Sequence, residues 1–295
     1  MRARTAAVLG AALGALAIGP AVGSLLWRRS TSSLLDRIRA SAASFPRTFS
    51  PVDLAGLPEP VERYFRRALR DGQPFISLAT FEQRGTFRLG AGEDSWRKFE
   101  ASQYVSTRPP GFVWDARIGM APLVPIRVRD SYSEGLGSLH AEVLALYTVM
   151  DQSGAPALNA GALQRYLAEA VWYPTALLPA SGVTWSPIDN RRALATLTDG
   201  PTTVSLEFRF TDGGEVSEVF AASRQREVNG RYEPTPWLVR CIRNDEHDGI
   251  RIPIECEVEW QLPSGPLPYW RGRITGVRYK PSTPDLKVGH ATVRS

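Results

Sequence analysis

The sequence predicts a mainly β (α+β) fold: one large curved antiparallel sheet, helices covering its apolar face, and an N-terminal transmembrane helix. Three observations predict it. From residue 75 onward, apolar and polar residues alternate with a period of two in runs dense in Val, Phe, Tyr, Trp and Thr. Only two segments of the body, near residues 61–69 and 159–171, carry the helical period instead. Residues 5–27 hold no charge and are bracketed by Arg2 and Arg4 before and by Arg28 and Arg29 after. The order of elements is not βαβ, so no doubly wound parallel sheet is expected.

With 43% hydrophobic and 22% charged residues and two cysteines, the 295-residue chain is globular in composition. Disorder and a disulfide scaffold are both excluded. The net charge of +5 is unevenly placed: residues 1–47 carry seven arginines against Asp36, and the other 248 residues sum to −1. A neutral body excludes nucleic acid as a partner.

The uncharged run of 23 residues is long enough, at ~1.5 Å per residue, to cross a hydrocarbon core of roughly 30 Å. Residues 1–30 therefore read as a membrane anchor, with a cleavable signal peptide ending near Ala21-Val22-Gly23 as the alternative. Trp27 beside two arginines suits an interfacial belt. The expected localisation is the cell membrane, single-pass. The basic flanks are too evenly matched to place the globular part on either side. Residues 31–56 read as a helical stalk and linker, 57–282 as one β-rich globular domain, and 283–295 as a tail.

Within the body, Val61, Tyr64, Phe65, Ala68 and Leu69 mark the apolar stripe of a helix, with prolines at its start and Asp71-Gly72 at its end. Strands are expected at 76–89, 96–106, 111–118, 123–131 and 138–150. A helix follows, capped by Asn159, buried through Leu163, Tyr166, Leu167, Ala170 and Val171, and broken by Pro174. Strands resume at 183–188, 191–198, 202–210, 215–222, 237–246, 250–262 and 269–279. Asp199-Gly200 reads as a hairpin turn, pairing residues whose numbers sum to 399 and setting Arg192 opposite Glu207. Asp248-Gly249 reads as another, with pairs summing to 497. That register faces Cys241 with Cys256, either as two small buried thiols or as a disulfide.

Motifs for nucleophilic, zinc or nucleotide chemistry are missing: no G-x-S-x-G, H-E-x-x-H, C-x-x-C or P-loop occurs. His140, His247 and His290 are too dispersed for a metal site, and no cofactor is expected. Three clusters remain. Residues 108–117 (RPPGFVWDAR) join a rigid turn to a strand with Trp114 on one side, Asp115 and Arg117 on the other. Residues 165–174 (RYLAEAVWYP) place Arg165, Glu169 and Trp172 along one helical stripe. Glu233-Pro234-Thr235-Pro236-Trp237 and Pro268-Tyr269-Trp270-Arg271-Gly272 are two aromatic-proline strand starts. Each cluster suits a sheet-edge cap or a surface pair. Alternatively, helix 159–171 is a lid over the concave face. Then Trp114, Tyr166, Trp172, Tyr173 and Trp270 line an apolar ligand pocket, with Asp115, Arg117, Arg165 and Glu169 as its polar contacts.

On these strings, together with YEPTPW (232–237) and the continuation TALLP (175–179), the chain resembles a bacterial, mainly actinobacterial, membrane-anchored family of unknown function. The resemblance spans about residues 57–280 and implies no activity. In architecture alone, the order of helix, strands, helix and strands is similar to the lipoprotein-carrier folds. Those are incomplete β-barrels whose helices plug an apolar cavity, which implies a lipid or other apolar ligand. Three functions follow as expectations: a membrane-tethered binder of such a ligand, an enzyme on a membrane-derived substrate with Asp115 or Glu169 as acid/base, and a protein-interaction domain.

Overall fold

In the computed structural model, residues 2–43, 45–90, 92, 95–121 and 124–282 are described, side chains 2–18 and 121 excepted. The period-two runs become thirteen strands of one open antiparallel sheet. The first six are β1 (Ile76–Arg88), β2 (Trp96–Ser106), β3 (Gly111–Ala121), β4 (Val124–Ser133), β5 (Leu136–Val143) and β6 (Tyr147–Ser153). The chain then crosses as helix α3 (Pro156–Glu169) and three short 3-10 turns to the opposite edge. There it resumes as β7 (Thr184–Pro187), β8 (Arg192–Asp199), β9 (Thr202–Phe210), β10 (Val216–Val228), β11 (Arg231–His247), β12 (Ile250–Leu262) and β13 (Gly265–Pro281). Each half is a meander, and β13 returns to pair with β1, leaving β6 and β7 as the edges.

Alternation decides what each face buries. Ala193, Ala195 and Leu197 of β8 and Val204, Leu206, Phe208 and Phe210 of β9 all point into the core. Helix α2 (Glu59–Ala68) lays Val61, Tyr64, Phe65 and Ala68 against the same core, with Leu69 just beyond it. Each fully buried Val, Leu or Phe among these contributes roughly 1.5–3 kcal/mol. Leu163, Tyr166 and Leu167 of α3 join them. Pro156 occupies the first turn of α3, where no backbone donor is needed, so the helix starts before Asn159. Asn159 serves instead as a clasp, its Oδ1 accepting from Gly137 N at 2.8 Å and its Nδ2 donating to Gly154 O.

The hairpin at Asp248-Gly249 has the expected register from the turn to Asn244 and again at Cys241, opposite Cys256, with an irregularity at Arg243 between them, and both cysteines are free thiols. The other hairpin is shifted. Pairs sum to 401, the turn is Gly200-Pro201, and Arg192 faces Arg209. An Asp199-Gly200 turn would need Pro201 to donate its missing N–H to Thr198. Moving the turn by one residue removes that demand, and the apolar face survives because the pairing changes by two. Glu207 lies diagonally between the two arginines, accepting from Arg209 Nε at 2.8 Å. The run 138–150 is two strands, folded at Leu144 and Ala145 with φ of +54° and +56°. Strands β10 and β11 run on to an Asn229-Gly230 turn that the expected loop concealed.

The expectation of a membrane-spanning N-terminal helix is overturned. Among the described residues no helix is long and apolar enough to cross a membrane, so a single-pass cell-membrane localisation is not supported. The side chains of residues 5–18, part of the expected span, lie outside the described residues, as does the 283–295 tail. Helix α1 (Arg2–Ser41) continues through the expected stalk and lies on the outer face of the sheet. Trp27, Thr31, Leu35 and Ile38 form its buried stripe. Trp27 is 4% exposed, its Nε1 donating to both oxygens of Asp115 at 3.1 and 3.0 Å. The Arg129 guanidinium lies 4.7 Å from its ring. An aromatic beside two arginines has the same sequence signature in a membrane interface and in a docked helix. Here the sheet supplies the acceptor.

At Gly23 an added Cβ would fall 1.7 Å from the carbonyl oxygen of Ala145. Gly23→Ala is therefore expected to lift α1 off the sheet. Hydrogen exchange should show lost protection over residues 27–41 with the strands unchanged; retained protection would refute this docking.

Candidate functional site

Between α3 and the concave face lies a cavity of about 200 Å³. Its floor comes from the sheet: Phe87 (β1), Trp114 (β3), Val128 and Asp130 (β4), Leu139 (β5), Arg224 (β10), Trp237 and Val239 (β11), Cys256 and Val258 (β12), and the consecutive Tyr269 and Trp270 (β13), where the pairing with β12 slips. The roof is Arg165, Ala168, Glu169, Val171 and Trp172, from α3 and the turn after it. Of the expected site residues, Trp114, Arg165, Glu169, Trp172 and Trp270 thus share one cavity.

The others are elsewhere. Tyr166 and Tyr173 are buried in the core with rings 5.5 Å apart. Their hydroxyls donate to Thr107 O and Tyr166 O. Asp115 and Arg117 do not converge with Arg165 and Glu169. They occupy the opposite face of β3, because neighbours in a strand point opposite ways, and Asp115 is held there by Trp27 and Thr31.

A polar chain threads the cavity wall. Trp114 Nε1 donates to Gln83 Oε1 (2.9 Å), Gln83 Nε2 to Gln103 Oε1 (2.9 Å), and Gln103 Nε2 to Glu169 Oε2 (2.7 Å). Arg165 Nε then donates to Glu169 Oε1 at 2.8 Å, and its Nη1 to Asp130 Oδ2 at 2.6 Å. The Arg165 guanidinium also lies 5.0 Å from the ring centres of both Phe112 and Trp114. Burial alone would lower its pKa, but Glu169 and Asp130 hold it above the ordinary value. Burial raises Glu169, and the attraction of Arg165 does not fully offset it, since one guanidinium serves two carboxylates. Burial likewise raises the Tyr269 hydroxyl, which accepts from Trp237 Nε1 at 2.9 Å. Contact with Cys241, and then burial, pushes the Cys256 thiol well up, which keeps it protonated and unreactive.

Gln83, Gln103, Asp130 and Arg224 escaped the sequence reading. The first three carried a usable signal: each is a polar residue at an inward position of an alternating strand, between Phe81 and Phe87, Ala101 and Val105, and Val128 and Tyr132. Arg224 carried none, because a bulge decides its face. The pairing of β10 with β11 slips between Ala221 and Arg224. One extra residue turns Arg224 inward where strict alternation would have placed Ser223. Gln164 of α3 pins that bulge by donating to Ser223 O at 3.0 Å.

The geometry defines a class: an open antiparallel sheet closed over by a helix, with an aromatic-walled internal cavity. The chain belongs to the Family of unknown function (DUF6920), whose model matches residues 55–279. It has no match among curated proteins. Among solved structures it is similar to a LolA superfamily protein from Nitrosomonas europaea, at 13% identity and a TM-score of 0.31. That similarity covers 77% of this chain and 94% of the other. It is also similar to a beta-barrel-like protein of the domain of unknown function DUF1849 from Brucella abortus, at 9% identity and a TM-score of 0.21. There the coverage is 70% and 99%. Similarities this low carry no argument about function.

Removing Arg165 would strand two carboxylates in the wall. Arg165→Met should cost about 3 kcal/mol or more in urea unfolding; a cost under ~1 kcal/mol would show the cluster to be solvated. Because Glu169 is raised, the folded state keeps a proton that the unfolded chain releases above the ordinary value of 4.5. Stability should therefore fall as pH rises from 4.5 towards the raised value. Glu169→Gln should flatten that slope, measured as unfolding free energy against pH.

Proposed function

We propose that this protein binds a small apolar or amphipathic molecule in the cavity beneath α3, holding it without chemical conversion. The observation that carries the reading is the cavity wall, in which aromatic and aliphatic side chains predominate and the few polar groups are concentrated around α3 and one bulge. An acid/base role is less well supported. Both oxygens of Glu169 are engaged, by Arg165 and Gln103, and Asp115 lies on the other side of the sheet, held by Trp27 and Thr31.

Size narrows the ligand. A dry cavity of about 150 Å³ lined by Leu, Ile and Phe takes benzene. On that scale a cavity of about 200 Å³ takes roughly eight non-hydrogen atoms. A lipid with several acyl chains exceeds it, whereas a short alkyl chain or one substituted ring fits. Half-buried wall residues such as Phe87, Val128, Leu139 and Tyr269 mark where the cavity approaches solvent.

The test is calorimetric titration of the full chain with hexan-1-ol, beside a Val128→Phe variant that narrows the cavity from its half-buried side. Saturable binding to the wild type, weakened about tenfold or more in the variant, supports the reading. No binding to the folded wild type, or equal binding to both, overturns it.

A further inference from the structure

Arg224 is a charged side chain on the cavity wall with no carboxylate in hydrogen-bonding or ion-pairing contact. Among the described residues it makes no hydrogen bond and no ion pair, and its Nη1 is shut off from solvent without an acceptor. Its guanidinium carbon lies over the face of Trp237, 4.5 Å from the ring centre, and Tyr269, Asp130 and Glu169 attract it without hydrogen-bonding it. The other cavity arginine differs sharply, since Arg165 is held by two carboxylates. The same wall therefore shows what a fully paired arginine looks like here and leaves Arg224 without such a partner. Its position is also built rather than incidental. A strand bulge turns it inward, and Gln164 on the roof helix fastens that bulge.

Resting on the binding reading above, we infer that the ligand is a small amphipathic carboxylate: its alkyl or aryl part lies on the aromatic wall and its carboxylate pairs with Arg224. A guanidinium matches a carboxylate in shape as well as charge, and a pair formed away from water is stronger than one at the surface. Asp130 and Glu169 attract Arg224 but their hydrogen bonds go to Arg165, so neither supplies Arg224 with a bidentate carboxylate partner. Burial lowers the Arg224 pKa, which is the direction expected of a cation awaiting its counter-ion, and an arginine remains charged at neutral pH regardless. Hexanoate, with eight non-hydrogen atoms, is the matching probe, and hexan-1-ol is its neutral counterpart.

The full chain is titrated with both probes at pH 7, alongside Arg224→Gln, with thermal melts to verify folding. A charge-assisted hydrogen bond corresponds to about tenfold or more in affinity. The expected result is hexanoate bound at least that much more tightly than hexan-1-ol. In Arg224→Gln the ratio of the two affinities should fall to about one. Equal affinities in the wild type, or an undiminished preference in the variant, overturn the inference and leave the cavity reading standing. Failure of the wild type to bind either probe overturns both. Should Arg224→Gln not fold, the wild-type comparison alone decides.

Discussion

The pairing of β1 with β13 is the constraint on which the rest depends. It joins residues from 183 positions apart (Phe87 and Trp270) to 205 apart (Ile76 and Pro281). Without it the chain would be two separate meanders, each with a long open edge. With it, the free edges become β6 and β7, at opposite ends of one sheet, and the segment joining them must traverse the molecule. That segment is α3, and the side it crosses is the apolar one. The helix over the cavity thus follows from the seam, because an antiparallel sheet with one apolar face needs a cover and the connection supplies it. Such distant contacts carry a loop-closure cost that local hairpins avoid, so the seam is expected to form late.

Both faces of β3 carry structure, and strand parity keeps their roles separate. Trp114 and Ala116 belong to the cavity and core, while Asp115 accepts Trp27 and Thr31 of α1 from outside. Arg129 of β4 completes the outer contact by donating to Ser30 and Thr31 at 2.7 and 3.0 Å. The chain N-terminal to the sheet thereby contributes to the fold through specific hydrogen bonds and a small apolar cluster of Leu35, Ile38 and Val113.

The electrostatics of the cavity are unequal by design of the backbone. Arg165 and Glu169 stand one helical turn apart on α3, so their pairing is local and nearly guaranteed once the helix forms. Asp130 joins them only because β4 passes under α3. Arg224 receives no such partner, and its guanidinium rests on an indole face, which offsets part of the burial cost and does not neutralise the charge. The cavity therefore presents aromatic surface and one guanidinium whose hydrogen-bonding capacity is unmet.

Periodicity by itself determined the mainly β class, α2, most strands and the inward face of each, because a strand alternates whatever it pairs with. It also determined the Asp248-Gly249 hairpin, where the turn chemistry is local. It misplaced the other hairpin by one residue at Pro201, though the missing donor was there to be read. Trp114, Arg165, Glu169, Trp172 and Trp270 were legible as cavity residues from aromatic strings. The buried glutamines and Asp130 were legible only as polar intruders in apolar stripes. Tertiary structure alone decided the rest. Trp27 docks on the sheet because Asp115 is there to accept a hydrogen bond from its indole N–H, and a partner 88 residues away leaves no trace in local pattern. Arg224 faces inward because one extra residue in β10 reverses parity, and a bulge exists only in relation to the strand beside it.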